Sequence, residues 1–228
     1  MKYVLNIPNE PITIVGGGSI LNKDLRQCMK WSHSLVAADG GANYIKSQEI
    51  IPDFIIGDLD SIQDKAYWKR KGVQLIKIWE QETSDFEKCM YSCNAGYYLC
   101  LGFTGRRVDH FLSVCSTVIK YKNKPVILVG SNDIIFQVPK RFEISLPVET
   151  RVSLFPIKRV LGIKSRGLKW PINDIEFDPA GKIGTSNETN EKVMSIEISN
   201  SGMLMILPRK YLSILNKYFF RQYGSQRI

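Results

Sequence analysis

The sequence predicts an α/β protein, with an N-terminal, mostly parallel sheet flanked by helices and a C-terminal all-β sandwich domain. Up to about residue 124, short apolar runs alternate with stretches of helical period, as in a parallel sheet covered by helices. After Gly130, nearly every segment alternates or runs apolar at strand length, with Pro, Gly and Asn between the segments. A chain of 228 residues is long enough for two such units. We expect domains at residues 1–131 and 132–228.

Aliphatic and β-branched runs predict six strands in the N-terminal half. They are expected at residues 12–15, 35–38, 54–56, 73–78, 98–101 and 126–129. Two helices follow segments that resemble capping boxes: Ser61 with Asp64 before residues 62–71, and Ser84 with Glu87 before residues 85–94.

A third helix is predicted over residues 107–121, where apolar residues recur at helical spacing. We expect it to bury one face and to leave Asp109, Ser113, Ser116 and Lys120 on another. The residues expected on the buried face are Val108, Phe111, Leu112, Cys115, Val118 and Ile119.

The C-terminal half contains four clear strand patterns, FEISLPV, TRVSLF, KVMSIEIS and GMLMILP. The last two flank Ser199-Asn200-Ser201-Gly202, a run of turn residues. We therefore expect KVMSIEI and MLMILP to form a β-hairpin.

Composition excludes several classes of protein. No window approaches the run of about 20 apolar residues needed to cross a bilayer, and the first residues, MKYVLNIPNEP, lack the apolar stretch of a signal peptide. We expect a cytoplasmic protein with no membrane partner. The five cysteines form no C-x-x-C pair, which predicts buried free thiols rather than disulfides or zinc. The net charge of +9 favours anionic ligands such as nucleotides, but the basic residues are scattered and indicate no nucleic-acid partner.

Glycines and carboxylates follow the predicted strands at their carboxyl ends, where open α/β sheets bind ligands. The segments are Gly16-Gly17-Gly18-Ser19, Asp39-Gly40-Gly41-Ala42-Asn43, Gly57-Asp58-Leu59-Asp60-Ser61, Gln81-Glu82-Thr83-Ser84-Asp85, and Gly102 to His110. Taken singly, each segment is compatible with a turn or a helix cap. Taken together, they predict one ligand site.

Four of these carboxylates form a candidate Mg²⁺ site: Asp39, Asp58, Asp60 and Asp85. Mg²⁺ binds oxygen ligands, keeps several waters and commonly bridges to substrate phosphates. The glycine loops would let backbone N–H groups approach phosphate oxygens, and Arg107 offers a planar fork of donors. The carboxylates, glycine loops and arginine together indicate phosphoryl or pyrophosphoryl transfer. No Ser-His or Cys-His arrangement suggests a covalent nucleophile.

Six motifs, in order, resemble those of the thiamine pyrophosphokinase family. They are ADGGAN (38–43), GDLDS (57–61), QETSDFEK (81–88), GFTGRRVDH (102–110), GLKW (167–170) and TSNE (185–188). The resemblance covers most of the chain. It implies an α/β domain joined to a β-sandwich, a homodimer, and transfer of diphosphate from ATP to the hydroxyl of thiamine, giving thiamine diphosphate and AMP.

The resemblance also implies roles for the residues that match these motifs. The metal ligands would be Asp39, Asp58, Asp60 and Asp85; the catalytic residues would be Asp58, Asp60, Asp85, Arg107 and Asp109. The ATP site would comprise Gly17, Gly18, Asp39, Gly40, Gly41, Asn43, Gln81, Arg107 and Asp109. Trp170 would stack on thiamine, whose thiazolium is cationic, and Ser186 and Asn187 would hydrogen-bond it.

The chain departs from the usual family pattern at two places. Glu82 and Ser84 stand in a motif that usually reads Q-D-x-T-D, and both keep the chemistry of the usual residue. Arg106 stands where many members have Gly, which either changes the loop or adds a phosphate contact. Two alternative functions stay open: a pyrophosphokinase for another hydroxymethyl heterocycle, such as a pterin, and a nucleotide- or thiamine-binding sensor without turnover.

Overall fold

The computed structural model describes residues 3–224, which form fourteen strands, six α-helices and one short 3-10 helix. The N-terminal elements are β1 (Leu5–Val15), α1 (Asn22–Trp31), β2 (Ser34–Ala38), α2 (Gly41–Ser47), β3 (Phe54–Gly57), α3 (Lys65–Arg70), β4 (Gln74–Lys77), α4 (Asp85–Ser92), β5 (Cys93–Leu101), α5 (Val108–Lys120) and β6 (Val126–Val129). The C-terminal elements are β7 (Asp133–Gln137), β8 (Arg141–Ser145), β9 (Arg151–Pro156), β10 (Val160–Arg166), β11 (Ile175–Phe177), β12 (Gly184–Glu188), β13 (Val193–Ile198), β14 (Met203–Pro208), the 3-10 helix Arg209–Tyr211, and α6 (Leu212–Tyr223).

Ten strands form one sheet in the order β12-β9-β14-β7-β6-β5-β1-β2-β3-β4. The strands from β6 to β4 in this order are parallel, and the four from β12 to β7 are antiparallel. A second, four-stranded antiparallel sheet has the order β11-β10-β13-β8. The predicted fold class is confirmed, and one continuous sheet joins its two halves through the β6–β7 pair.

The hydrophobic core lies on both faces of the long sheet, and the apolar alternation of the strands explains why. One buried cluster extends from α1 and α3 through β7 and β14 to the second sheet and α6. The other lies under α4 and α5, where Phe86 and Val118 pack with Tyr98. All five cysteines are free and buried, as predicted.

Three predicted helices are present with different bounds. α3 begins at residue 65 rather than 62, because the Asp64 carboxylate, and not Ser61, caps it by accepting from Tyr67 N at 2.9 Å. Ser84 caps α4 as predicted, but the helix ends at Ser92 because residues from 93 onward pair with β1. α5 buries Cys115, Val118 and Ile119.

The prediction that α5 also buries Val108 and Leu112 is wrong, because both lie on its solvent side, 73% and 59% exposed. Within the described part of the chain, no element covers the side of α5 that carries these two residues. Phe111, on the same turns, is partly buried.

The predicted β13–β14 hairpin is wrong. β13 pairs with β8 and β10 in the four-stranded sheet, whereas β14 pairs with β7 and β9 in the long sheet. Residues 199–202 therefore cross between sheets rather than reverse a hairpin. The C-terminal half also ends in a helix, α6, whose Phe219 packs on Tyr97 and Phe136. Among the described residues, no helix is both long and apolar enough to span a membrane.

Candidate active site

The candidate site lies where the strand order reverses. From β1 the chain adds β2, β3 and β4 on one side, and then returns to place β5 and β6 on the other. From β1 the chain continues to α1 on one face of the sheet, and from β5 it continues to α5 on the other face; open α/β sheets bind ligands at such a point. A cleft of about 560 Å³ opens there.

Residues from all five predicted segments line this cleft. They include Gly16, Gly17, Gly18, Asp39, Gly40, Asp58, Ser61, Gln81, Asp85, Lys88, Arg106, Arg107 and His110. A larger groove of about 710 Å³ lies between β8 and α6, and Glu143 and Glu197 are the only carboxylates among the described residues that line it. Of these two pockets, the cleft is the one that combines glycine loops with a cluster of carboxylates, so it is the candidate active site.

The glycines after β1 allow the loops to pack closely. A Cβ on Gly16 or Gly18 would lie 2.7 or 2.6 Å from the carbonyl oxygen of Gly102. Gly18 N donates to that same oxygen at 2.8 Å. Gly41 is tighter still, since a Cβ there would come within 2.0 Å of Val15 O. These glycines therefore bring the β1, β2 and β5 loops together and leave the cleft open above them.

Asp39 is the most buried carboxylate of the cluster, and its backbone adopts a left-handed conformation with φ 40°. Its Oδ2 accepts from Ser61 N at 3.2 Å. Burial raises the pKa of Asp39, and the charges of Asp58 and Asp60 raise it further, against the hydrogen bonds from Ser61. The free protein therefore holds this carboxylate at a free-energy cost.

The GDLDS loop presents Asp58 and Asp60 beside Asp39. Leu59 between them is buried and left-handed, with φ 66°, so its side chain anchors the loop while both carboxylates point outward. Asp58 Oδ1 accepts from Asp60 N at 3.1 Å, and Asp58 Oδ2 accepts from Gln81 Nε2 at 3.4 Å. Burial opposes ionisation of Asp58, but these hydrogen bonds and the charge of Lys88 lower its pKa overall.

Asn43, predicted in the nucleotide site, holds the GDLDS loop in place. Its Nδ2 donates to Ser61 O at 2.8 Å, and its Oδ1 accepts from Gln63 N at 3.1 Å. Both ends of the amide are therefore used within the protein.

Asp85 begins α4 and comes close to Asp39 across Gly57. A Cβ on Gly57 would lie 2.7 Å from Asp39 Cβ and 3.0 Å from Asp85 Oδ1, so only glycine fits between the two carboxylates. Burial, with the nearby charge of Asp39, raises the pKa of Asp85 to about 6. The buried Lys88 ammonium lies 3.6 Å from Asp85 Oδ1 and partly offsets this effect.

The carboxylates fit a divalent cation. Asp39, Asp58 and Asp60 each offer an oxygen within 4.8 Å of the others. Within residues 3–224, two buried carboxylate oxygens of this region accept no hydrogen bond: Asp39 Oδ1, and Asp85 Oδ1, whose ion-pair partner Lys88 lies 3.6 Å away. An oxygen-only donor set of this kind matches Mg²⁺. Asp85 lies outside the group of three, next to Asp39.

Arg106 and Arg107 line the other wall of the cleft. Arg106 has φ 55°, and its Nη1 donates to Gly17 O at 3.0 Å, which ties the two glycine loops together. Arg107 is exposed and forms a bidentate pair with Asp109, at 3.1 Å from Nε and 2.5 Å from Nη2. This pair lowers the pKa of Asp109 to about 2. This pair uses two of the five N–H donors of the guanidinium.

Lys88 and Arg106 bring two further cationic side chains to this cleft, and neither was among the predicted site residues. Lys88, in α4, is 2% exposed, and its ammonium lies beside the carboxylates of the acidic cluster. Its signal in the sequence was the spacing Asp85-x-x-Lys88, which places both side chains on one face of a helix.

The predicted thiamine residues lie together in the C-terminal half, outside the lining of the cleft. Trp170 is 53% exposed, and Ser186 is exposed and left-handed, with φ 61°. Asn187 is buried: its Nδ2 donates to Trp170 O at 2.7 Å and its Oδ1 accepts from Trp170 N at 3.2 Å. Asn187 thus holds the backbone that presents the tryptophan ring.

Comparisons with known proteins match both halves of the chain. Residues 25–129 match the family model "Thiamin pyrophosphokinase, catalytic domain", and residues 134–204 match "Thiamin pyrophosphokinase, vitamin B1 binding domain". Thiamine pyrophosphokinase 2 of Arabidopsis thaliana is 25% identical over 230 residues, covering 84% of this chain and 85% of the relative. Thiamine pyrophosphokinase 1 of Oryza sativa subsp. japonica is 26% identical over 194 residues, covering 71% and 74%.

Solved structures show the same fold. Thiamin pyrophosphokinase from Candida albicans superposes with a TM-score of 0.77 at 21% identity, covering 90% of this chain and 93% of that one. Yeast thiamin pyrophosphokinase gives 0.77 at 18% identity, covering 96% and 97%. The two family models together cover the cleft residues from Ala38 onward and the Trp170 region, in the order expected from the six motifs. The chain belongs to the thiamine pyrophosphokinase family.

Proposed function

We propose that this protein is an ATP-dependent thiamine diphosphotransferase, which converts thiamine and ATP into thiamine diphosphate and AMP. The observation that carries the proposal is the acidic cluster at the strand-order reversal, with two buried carboxylate oxygens that lack donors. Such a cluster needs a cation, and the glycine loops opposite it suit a polyphosphate. Thiamine is the proposed acceptor because residues 134–204 match the vitamin B1 binding domain of the family.

In this proposal Asp39, Asp58 and Asp60 hold Mg²⁺, with Asp85 beside them. Mg²⁺ would supply charge neutralisation for the polyphosphate. The lowered pKa of Asp58 keeps that ligand ionised at neutral pH. Gly17, Gly18 and Gly40 would line the polyphosphate path, with Gln81 at its edge and Gly41 packed behind it against Val15 O.

The transfer breaks one bond and forms one. The thiamine hydroxyl oxygen bonds to the β-phosphorus of ATP, the bond from that phosphorus to the α–β bridging oxygen breaks, and AMP leaves with the electron pair. The hydroxyl proton passes to water in the same step. Arg107 would grip the departing phosphate oxygens, and orientation with charge neutralisation would provide most of the rate enhancement.

We further propose that the protein works as a homodimer. Residues 1–131 would bind ATP and metal, and residues 132–228 would bind thiamine through Trp170 and Ser186, with Asn187 supporting the ring. Among the described residues, those that line the cleft end at Val114, and Trp170 is not one of them. A second subunit would bring a Trp170 to each cleft. A cytoplasmic location also stays a prediction.

Substrate identity is tested by measuring AMP. We expect AMP to form only when ATP, Mg²⁺ and thiamine are all present. The amount of AMP formed should equal the amount of thiamine consumed. AMP formed with a hydroxymethylpterin and not with thiamine would favour the pterin alternative. Binding of both ligands without any AMP would favour the sensor.

The two adjacent arginines give a matched pair of variants. Arg107→Lys is expected to lower kcat/KM for ATP about 10- to 100-fold, because an ammonium cannot grip phosphate bidentately. Arg106→Gly should change it less than about 3-fold, since glycine adopts φ 55° without strain and only one loop contact is lost. Steady-state kinetics with varied ATP checks both. A larger loss at Arg106 would mean that Arg106, rather than Arg107, contacts the phosphates.

A further inference from the structure

Glu80 forms the centre of a hydrogen-bond network beside the acidic cluster, although it lies outside the predicted site. Its Oε2 accepts from Glu82 N at 2.8 Å and from Thr83 N at 3.0 Å. Its Oε1 accepts from the Tyr91 hydroxyl at 2.9 Å and from the Thr83 hydroxyl. One carboxylate therefore fixes two backbone amides of the loop and anchors the loop to α4.

The loop that Glu80 organises carries site residues at both of its ends. Gln81, at the start, donates to Asp58 Oδ2 at 3.4 Å. Ser84, at the end, caps α4 by accepting from Glu87 N, and Asp85 follows directly. The path of residues 81–85 thus decides where the Gln81 amide and the Asp85 carboxylate lie relative to the acidic cluster.

We propose that Glu80 is a positioning residue for the metal–nucleotide site: it holds residues 81–85 in the path that places Gln81 against Asp58 and Asp85 beside Asp39. The catalytic part of this inference, an effect of Glu80 on turnover, rests on the proposed function. Its structural part, control of the acidic cluster through loop shape, stands on the contacts alone.

Glu80 does not act as a further metal ligand. A carboxylate has about four lone-pair positions, and four donors from Glu82, Thr83 and Tyr91 already occupy those of Glu80. Residues that hold metal ligands in position without touching the metal typically contribute about 10- to 100-fold to metal affinity or activity.

Shape and charge can be separated at this position. In Glu80→Gln the remaining oxygen keeps both backbone amides, and the new NH₂ group donates to the hydroxyls of Thr83 and Tyr91, which can rotate to accept. Glu80→Ala removes all four contacts and leaves the amides of Glu82 and Thr83 without their partner. The two variants therefore differ in loop support, while both lack the charge.

The test measures Mn²⁺ binding by electron paramagnetic resonance, with ATP present, together with kcat and the KM for thiamine. We expect Glu80→Ala to weaken Mn²⁺ binding and lower kcat about 10- to 100-fold, with the KM for thiamine unchanged. Glu80→Gln should stay within about 3-fold of the wild type in both quantities. The control Glu191→Ala removes an exposed ion pair with Arg166, away from the cleft, and should change neither quantity.

Tyr91→Phe removes one contact of the four and provides a milder variant if Glu80→Ala unfolds. It should weaken Mn²⁺ binding in the same direction, by about 2- to 5-fold. Folded Glu80→Ala or Tyr91→Phe protein with wild-type Mn²⁺ affinity would overturn the proposal, as would equal losses in Glu80→Gln and Glu80→Ala. Wild-type protein that binds Mn²⁺ and ATP but forms no AMP would contradict the proposed function, and the binding comparison would still decide the role of Glu80.

Discussion

Asp39→Asn is expected to remove nearly all activity and at the same time to stabilise the metal-free protein. Loss of one charged ligand from the cluster should lower kcat about 10²- to 10³-fold. The stability gain follows from burial: Asp39 is 2% exposed, close to Asp58, Asp60 and Asp85, and one of its oxygens has no donor. Asparagine keeps the size and tolerates a positive φ.

The expected gain is about 1 kcal/mol, or about 2–4 °C in Tm for a chain of this length. Thermal melts without metal, beside an activity assay, measure both effects. Mg²⁺ with ATP should then raise the Tm of the wild type and leave the variant nearly unchanged, because ligands stabilise only the state that binds them. A less stable variant, or one with wild-type turnover, would remove Asp39 from the metal site.

The pH dependence of this gain has a definite sign. Burial raises the pKa of Asp39 above its usual 3.8, so ionisation is harder in the folded than in the unfolded chain. The free energy of unfolding of the wild type therefore loses a contribution as pH rises from 3.8 through the folded pKa, and the variant does not. The Tm difference should be small at pH 4 and fully developed at neutral pH.

Asp178→Asn provides the matched control for this substitution. Asp178 lies at the end of β11, where its carboxylate accepts from Ala180 N at 2.9 Å and pairs with Arg159 at 3.2 Å. These contacts lower the pKa of Asp178, opposite to Asp39. The control should keep full activity and should not gain stability at neutral pH.

Mixing two inactive variants is expected to restore activity if each site draws on two subunits. Asp60→Asn would disable the metal site of its own chain, and Trp170→Ala would disable the thiamine contact of its own chain. In a mixed dimer, one composite site pairs an intact cleft with an intact tryptophan. The motivation is the separation of Trp170 from every residue that lines the cleft.

The experiment needs two conditions before activity is scored. Analytical ultracentrifugation must first find a dimer, and differently tagged subunits must be shown to exchange. If half of the dimers are mixed and each holds one good site, the recovered activity is about one quarter of the wild type per total site. Exchanged dimers without recovered activity would mean that each site is built from one chain, even if the dimer itself exists.

The sequence predicted the strands well where their apolar runs are continuous, and less well where pairing extends them. The bounds of β6 match the prediction, since all four of its residues are aliphatic and buried. β1 begins at Leu5 rather than residue 12, because its polar first half, LNIPNEP, pairs with β5 across a register shift. A polar segment that becomes a strand only by pairing with a neighbouring strand shows no strand pattern in its own sequence.

Contacts between segments distant in sequence also explain the two clear errors. Val108 and Leu112 have helical spacing with the buried residues of α5, but no element of the described chain covers them. Residues 199–202 have turn composition, yet the strands on either side enter different sheets. Whether an apolar face is covered, and which strands pair, depends on contacts distant in sequence.

The acidic and glycine residues of the cleft could be predicted, because the carboxyl ends of parallel strands meet at one edge of the sheet. The supporting contacts could not. The four donors to Glu80, the burial of Lys88 in the cluster and the bond from Arg106 to Gly17 all depend on how loops fold over one another.

The central claim, transfer of an intact diphosphate group in the cleft, is tested most directly by following the phosphorus products. Wild-type protein is incubated with ATP, Mg²⁺ and thiamine, and ³¹P NMR spectra are recorded until the reaction ends. The account predicts thiamine diphosphate and AMP in a 1:1 ratio, with no signal growing for ADP, and product formation about 10²- to 10³-fold slower with the Asp39→Asn variant. Thiamine monophosphate with ADP, or free pyrophosphate with unchanged thiamine, would contradict it.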